Sequence, residues 1–203
     1  MGVVIKQLGM LLIISGPSGT GKGTLVRKLM DSDPSFAFSC SVTTRAARPG
    51  EIDGVHYHFI DDAEYDRMLV EDAFLEHATV HGHRYGTPKK QVDTLLKSGK
   101  NVLLDIDPQG ALSLMCRLKD YVSVFILPPS FSALRVRLHT RNTDDPVEIE
   151  RRLRNARLEV LNIARYQYAV INDDLDLAFS QLQSIVNAEK QRTTRFIPTI
   201  MED

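Results

Sequence analysis

The sequence predicts an α/β fold in which helices cover both faces of a parallel sheet. Three short and mainly apolar runs, at residues 9–14, 101–107 and 122–127, have the length and composition of strands buried on both faces. Each run is followed by residues with the apolar spacing of a helix, and this alternation is typical of a parallel sheet. We expect residues 1–203 to form a single domain with a substantial core.

The composition excludes several classes of protein. The net charge of −1 gives no global attraction to nucleic acid or to a membrane surface. No apolar run approaches the length of about 18 residues that a membrane-spanning helix needs, and residues 1–10 lack the pattern of a secretory signal. Cys40 and Cys116 have no metal-binding spacing, which predicts two small core residues in a reduced protein. We expect a cytoplasmic protein with no nucleic-acid or membrane partner, and the oligomeric state stays open.

A glycine-rich loop follows the first apolar run, with the sequence GPSGTGKGT at residues 16–24. Its glycines allow left-handed backbone conformations and let successive N–H groups point at one anion. The residues after the loop have the apolar spacing of a helix, whose N-terminus attracts negative charge. The G-x-x-x-x-G-K spacing between a strand and a helix is that of the nucleotide-binding P-loop, in which Lys22 reaches the β- and γ-phosphates.

One position departs from the P-loop pattern. Gly23 stands where a Ser or Thr usually binds Mg²⁺, and the next hydroxyl belongs to Thr24. Either nucleotide oxygens, water and a distant carboxylate hold the metal, or Thr24 replaces the missing ligand; we expect the former. Asp105 and Asp107, at the end of the second apolar run, are the candidates for that carboxylate, acting through water.

The region between residues 36 and 88 contains several short elements. The patterns predict strands at 36–42, 54–60 and 74–80, and a helix at 63–70 that Asp61 or Asp62 caps. They also predict a further helix that Thr87 and Pro88 open as N-cap and N1. His56 and His58 share one face of the second strand, which we interpret as solvated rather than metal-binding. These elements predict an inserted substrate-binding unit at about 41–87.

The loop after the first of these strands carries Arg45 and Arg48 among hydroxyl side chains. Planar guanidinium groups bind phosphate oxygens in pairs, so this loop is a candidate for holding a second phosphate group opposite the P-loop. A solvated basic loop is the alternative interpretation.

Two helices, at 131–141 and 147–165, flank a polar break, and seven arginines lie on the two sides of that break. These are Arg135, Arg137, Arg141, Arg151, Arg152, Arg154 and Arg157. A pair of helices that closes over a triphosphate would bring such charge onto the transferred group, although two solvated helices remain the alternative. A last strand at 168–174 and a helix at 175–192 follow, and residues 193–203 show no periodicity.

Seven segments together resemble the guanylate kinase family. They are GPSGTGK, SVTTRAARPGE with GVHYHF, FLEHA, YGTP, LLDIDPQG and VINDDL, and they cover about residues 11–189 in the family's order and spacing. The resemblance implies a P-loop NTPase three-layer fold with a parallel core sheet (about 10–40, 88–130 and 166–192), a small GMP-binding insertion with short strands (about 41–87) and a helical lid (about 131–165). It implies transfer of the γ-phosphoryl group of ATP to GMP with Mg²⁺, which gives ADP and GDP.

The resemblance also implies a role for individual residues. It assigns ATP binding to Gly16, Pro17, Ser18, Gly19, Thr20, Gly21, Lys22, Gly23, Thr24 and Asn172. It assigns the GMP phosphate to Ser41, Arg45, Arg48, Tyr57 and Tyr85, the guanine to Glu76 and Thr87, and the rest of the GMP site to Asp105 and Asp107. It assigns catalysis to Lys22, Arg48, Arg137, Arg141 and Arg152.

The chemistry of guanine supports the assignment of Glu76. Guanine presents donors at N1 and N2 that one carboxylate accepts together, whereas adenine presents an acceptor at N1 and would leave Glu76 poorly paired. Two alternatives remain: a related kinase for another phosphorylated acceptor, such as a ribose bisphosphate, and a catalytically inactive protein-binding module of the same fold. Glu76 with Thr87 argues against the first, and Lys22 with the lid arginines argues against the second.

Overall fold

The computed structural model describes residues 3–80, 82–140 and 145–200. The strands are β1 Val3–Gln7, β2 Leu11–Ser15, β3 Phe36–Phe38, β4 Val42–Thr43, β5 His58–Phe59, β6 Phe74–Val80, β7 His83–Pro88, β8 Asn101–Asp105, β9 Val122–Leu127, β10 Tyr168–Ile171 and β11 Phe196–Ile200. The helices are α1 Lys22–Ser32, α2 Asp62–Val70, α3 Lys89–Lys97, α4 Pro108–Met115, α5 Phe131–Thr140, α6 Pro146–Val160 and α7 Leu175–Lys190. A 3₁₀ turn at Ile163–Arg165 precedes β10.

A parallel sheet with the strand order β10–β9–β2–β8–β3 forms the centre of the protein. All of β2 is buried. Leu12 and Ile14 enter one hydrophobic core with residues of α1 and α7, whereas Leu11 and Ile13 enter another with residues of α3 and α4. Because alternate residues of one strand enter two cores, helices cover both faces of the sheet, and the predicted α/β fold is confirmed.

A second, smaller sheet has the order β5–β4–β7–β6. Strands β6 and β7 form an antiparallel hairpin in which Glu76 lies opposite Thr87. Helix α2 packs on this sheet through Tyr65, which joins Val42 and Phe74 in a small core. Helices α5 and α6 pack on each other through a separate core of leucine, isoleucine and alanine side chains. The boundaries 41–87 for an insertion and 131–165 for a lid stay predictions.

The prediction of one strand at 36–42 is wrong. Strand β3 pairs with β8 of the parallel sheet, whereas β4 pairs with β7 of the smaller sheet, so the chain passes between sheets within this segment. The predicted strand at 54–60 is shortened to β5 because a turn precedes it. Gly54 has a φ of +74° and its N–H donates to the Tyr57 carbonyl oxygen at 2.8 Å. Alternating side chains alone do not reveal such a turn.

Residues 193–203 show no sequence periodicity, yet their described part contains a strand. Strand β11 pairs antiparallel with β1, with Phe196 opposite Gln7. Arg195 precedes β11 and is 1% exposed; its guanidinium donates to Glu189 at 2.8 Å and forms an ion pair with Asp120. A buried charge needs such partners, and a partner 75 residues away leaves no periodic pattern in the sequence.

Two smaller predictions also need correction. Cys40 is buried as predicted, but Cys116 is exposed at the end of α4. Thr87 belongs to β7 and does not cap the next helix, whose N-cap is Pro88. Over residues 3–80, 82–140 and 145–200, no helix is long and apolar enough to cross a membrane.

Candidate active site

The loop between β2 and α1 has the glycine conformations that a P-loop requires. Gly16, Gly19 and Gly21 have φ values of +140°, +89° and +87°, in the left-handed region that favours glycine. A Cβ atom on Gly16 would lie 2.3 Å from the Ile126 carbonyl oxygen of β9, so only glycine allows the loop to pass so close to the sheet. Lys22 Nζ donates to the Gly16 carbonyl oxygen at 2.6 Å, which places the ammonium group over the loop.

Asn172 connects the P-loop to the last strand of the sheet. Its side-chain amide donates to the Thr20 carbonyl oxygen at 2.7 Å, and its own carbonyl oxygen accepts from Arg137 Nη1 at 2.8 Å. A cavity of about 400 Å³ opens beside these residues, and we call it the P-loop cavity. Its lining includes Gly19, Gly21, Thr24, Arg137, Thr140, Asn172 and Asp173. The structure thus brings several of the predicted ATP-binding residues together.

A second cavity, of about 290 Å³, lies between the P-loop and the smaller sheet, and we call it the carboxylate cavity. Its lining consists of Ser18, Ser41, Arg48, Tyr57, Glu76, Tyr85, Asp105, Ile106, Asp107 and Arg152. Apart from Ile106, all of these residues come from the predicted site. They are contributed by the P-loop, both sheets and α6, so the site exists only in the folded chain.

Glu76 is the most deeply buried carboxylate of this cavity, with 3% of its surface exposed. Thr87 Oγ1 donates to Glu76 Oε1 at 2.6 Å, and the Ser41 and Thr87 hydroxyl oxygens are 3.2 Å apart. Burial raises the pKa of Glu76 to about 7; the bond from Thr87 opposes this rise, and the negative charge of Asp107 adds to it. The hairpin register places these partners opposite each other, so the fold itself builds this group.

Arg45 and Arg48, in the loop that follows β4, differ in their surroundings. Arg45 is buried, and its Nη2 atom donates to Glu51 Oε1 at 2.9 Å. Its guanidinium carbon lies 5.6 Å from the ring centroid of Tyr57, a favourable distance for a cation–π contact. Arg48 is exposed at the cavity rim, and its backbone N–H donates to Glu51 Oε2 at 2.7 Å. Arg45 is therefore held in place, whereas the Arg48 side chain lies at the cavity edge.

Tyr57 and Tyr85 form an aromatic wall of the same cavity. Their ring centroids are 5.8 Å apart in an edge-to-face arrangement. Burial raises the pKa of Tyr57 to about 12, and the charge of Asp105 contributes to this rise. The Tyr57 hydroxyl therefore stays protonated near neutral pH and can donate a hydrogen bond.

Asp105 and Asp107 both line the carboxylate cavity, but their roles in the fold differ. Asp107 is the N-cap of α4, and its Oδ1 atom accepts from the backbone N–H groups of Gln109 at 2.8 Å and Gly110 at 3.2 Å. Asp105 is the last residue of β8 and is partly buried; burial raises its pKa, and the charge of Lys22 opposes that rise. No group of three or more His, Cys, Asp or Glu residues within the described ranges is placed to hold a metal ion.

The three arginines of the predicted lid that the sequence assigns to catalysis lie in three different situations. Arg152 Nη1 lies 3.5 Å from Ser18 Oγ of the P-loop, and its Nε donates to Glu148 Oε1 at 3.2 Å. Arg137 lines the P-loop cavity. Arg141 lies outside the described residues, so its assignment stays a prediction.

Two acidic residues near the site were not predicted from the sequence. Glu51 binds both the Arg45 side chain and the Arg48 backbone; its position three residues after Arg48, beyond a Pro-Gly pair, is the signal that could have indicated it. Glu159 on α6 is partly buried; burial raises its pKa, Lys22 opposes this and Asp107 adds to it. In the sequence, Glu159 is one of several charged residues of this helix, and no motif sets it apart.

Comparisons with known proteins are consistent across sequence and structure. The family model described as guanylate kinase matches residues 9–189. A guanylate kinase of Rhizobium etli is 46% identical over 194 residues, which cover 95% of this chain and 88% of that protein. A guanylate kinase of Clostridium perfringens is 43% identical, covering 96% of this chain and 90% of that protein. A crystal structure of guanylate kinase from Anaplasma phagocytophilum has 34% identity and a TM-score of 0.80, covering 96% of this chain and 93% of that one.

Proposed function

The chain belongs to the guanylate kinase family, and from this premise we propose that the carboxylate cavity binds GMP and the P-loop cavity binds ATP. The protein transfers the γ-phosphoryl group of ATP to GMP and yields ADP and GDP. The observation that carries the assignment of the two cavities is the buried carboxylate of Glu76, paired with Thr87 at 2.6 Å. The proposed setting is the cytoplasm, where thiols stay reduced.

Glu76 reads the guanine base in this proposal. Its carboxylate accepts hydrogen bonds from guanine N1–H and the 2-amino group. The Thr87 hydroxyl has a single proton, which it donates to Glu76 in this structure and would turn toward guanine O6 once the base occupies the carboxylate. AMP would bring an acceptor to the same carboxylate, and leaving a buried polar group unpaired supports discrimination on the order of 10⁴. A ribose bisphosphate lacks the pair of adjacent N–H donors that matches this carboxylate, so no observation favours that alternative acceptor.

The GMP phosphate lies near Arg48 in this proposal. Arg48 sits at the cavity rim, where its guanidinium can bind two phosphate oxygens. Tyr57 supplies a protonated hydroxyl, and Arg45, fixed by Glu51, adds positive charge and orders the loop. Ser41 and Tyr85 complete this end of the cavity.

The transfer step needs no general base. A GMP phosphate oxygen, already anionic near neutral pH, forms a bond to the γ-phosphorus while the bond from that phosphorus to the β–γ bridging oxygen breaks, and ADP leaves. Lys22 and the P-loop N–H groups hold the donor phosphates. Arg152 lines the carboxylate cavity and also reaches Ser18 of the P-loop, so its charge can act on the group that moves between the two substrates. An inactive binding module would not need this arrangement.

Asp105 fits an indirect role toward Mg²⁺. Mg²⁺ prefers hard oxygen ligands and commonly uses one or two carboxylates with phosphates and water. Asp107 already caps α4, whereas Asp105 is not a helix cap and lies within electrostatic reach of Lys22, so Asp105 would hold a metal-bound water. Thr24 lines the P-loop cavity, to which we assign ATP, so our expectation that it is not a ligand stays a prediction. When bound, Mg²⁺ would neutralise charge on the ATP phosphates.

The function is tested by measuring ADP release with ATP and Mg²⁺ in the presence of GMP, AMP, CMP or UMP. We expect rapid ADP release with GMP and rates lower by about 10³-fold or more with AMP. The absence of GMP-dependent turnover would overturn the activity. Equal rates with GMP and AMP would instead overturn only the role assigned to Glu76.

A further inference from the structure

Gly110 occupies a position at which the backbone does not require glycine. It is the third residue of α4, after Pro108 and Gln109, and it is buried. Its φ does not fall in the left-handed region, unlike that of Gly16 or Gly21. Glycine destabilises a helix relative to alanine because it loses more backbone entropy on folding. The presence of glycine at this point of the helix therefore needs another explanation.

The space around Gly110 supplies that explanation. A Cβ atom on this residue would lie 2.7 Å from Glu76 Oε2 and 3.5 Å from the Glu76 Cδ atom. It would also lie 3.5 Å from Asp107 Oδ2, which is an ordinary contact distance. The Glu76 carboxylate thus rests against the bare Cα of Gly110, while Thr87 Oγ1 holds its other oxygen at 2.6 Å.

We propose that Gly110 is a positioning residue for guanine recognition, because its missing side chain sets how deeply the Glu76 carboxylate lies beside α4. The inference rests on the proposed role of Glu76. A methyl group here would meet only the far end of a flexible side chain, so the fold can adapt by moving the carboxylate. Guanine cannot adapt in the same way, because hydrogen bonds weaken when donor and acceptor leave the range of about 2.7–3.2 Å.

The proposal predicts opposite effects of one substitution on folding and on GMP binding. In Gly110→Ala we expect a Tm equal to or higher than that of the native protein, since alanine favours the helix. We expect the KM for GMP to rise about tenfold or more, which is the range for a disturbed hydrogen bond to a charged group. The KM for ATP and the kcat at saturating GMP should change by less than about threefold.

Gln109→Ala is the matched control, because Gln109 is the exposed neighbour on the same helix. We expect its kinetic constants and Tm to stay close to those of the native protein. An unchanged KM for GMP in Gly110→Ala would overturn the proposal. A lowered Tm with parallel losses for both substrates would also overturn it, because the substitution would then disturb the fold instead of the carboxylate.

A second genetic background separates this inference from the proposed function. In Glu76→Ala no carboxylate remains to be displaced, so adding Gly110→Ala should change the KM for GMP by less than about twofold. If Glu76→Ala alone leaves the KM for GMP unchanged, the proposed role of Glu76 is wrong. If Glu76→Ala raises this KM and Gly110→Ala does not, Glu76 reads guanine and only the positioning role of Gly110 is wrong.

Discussion

The base-reading part of the site, Glu76 with Thr87, and its charge-bearing part, Arg152, differ in how firmly the fold holds their side chains. Glu76 is 3% exposed, lies opposite Thr87 in a hairpin register and receives a hydrogen bond from it. Arg152 is partly exposed, pairs with Glu148 four residues earlier on its own helix and reaches Ser18 at only 3.5 Å. Ion pairs at this helical spacing contribute little, so Arg152 can exchange Glu148 for a phosphate at small cost.

This difference corresponds to two tasks. Recognition of a flat base gains from groups already in place, because less freedom is lost on binding. Neutralisation of a transferred phosphoryl group needs positively charged side chains that move toward it after both substrates bind and move away when the products are released. We therefore expect substitutions in the two parts to affect different kinetic constants.

The largest effect should come from the charge-bearing part. In Arg152→Ala we expect kcat to fall about 10³-fold, because an arginine that stabilises the transferred group contributes on this scale, while KM values change little. Steady-state kinetics in both substrates would measure this. Arg154, exposed on the same helix, provides the control variant Arg154→Ala. Equal losses in both variants would mean that Arg152 acts only through the general charge of the lid.

The residues and pairings that build the fold and the two parts of the site were only partly predictable from the sequence. Local patterns predict the P-loop, the buried strands and the carboxylates Asp105 and Asp107 near the end of β8, since glycine spacing and apolar runs are short-range signals. The pairing of Glu76 with Thr87 depends on hairpin register, which the sequence pattern alone did not specify. The partnership of Glu51 with Arg45 depends on the shape of one loop. The β1–β11 pairing joins the two ends of the chain and has no periodic signal.

The second effect concerns the base-reading part. In Glu76→Gln we expect kcat/KM for GMP to fall about 10²-fold, because the amide would bring N–H donors toward the guanine donors, while the KM for ATP stays unchanged. Glu71→Gln, at an exposed glutamate at the end of α2, is the control. Matching losses toward ATP and GMP would indicate a folding defect and contradict the proposed role of Glu76.

The smallest expected effect is a pH dependence of GMP binding that ATP binding does not share. Burial raises the pKa of Glu76 to about 7, and guanine donors bind the ionised form, so lowering the pH through 7 removes the competent state. For a pKa of about 7, the apparent affinity for GMP should fall about fivefold from pH 7 to pH 6 and stay nearly constant above pH 8.

The GMP phosphate, with a second pKa of about 6, adds its own pH dependence to GMP binding. Glu76→Gln removes only the carboxylate contribution, so the difference between the two profiles isolates Glu76. Identical pH profiles of the native protein and of Glu76→Gln would mean that ionisation of Glu76 does not control GMP binding. An equal pH dependence of ATP binding would place the titrating group in the charge-bearing part of the site.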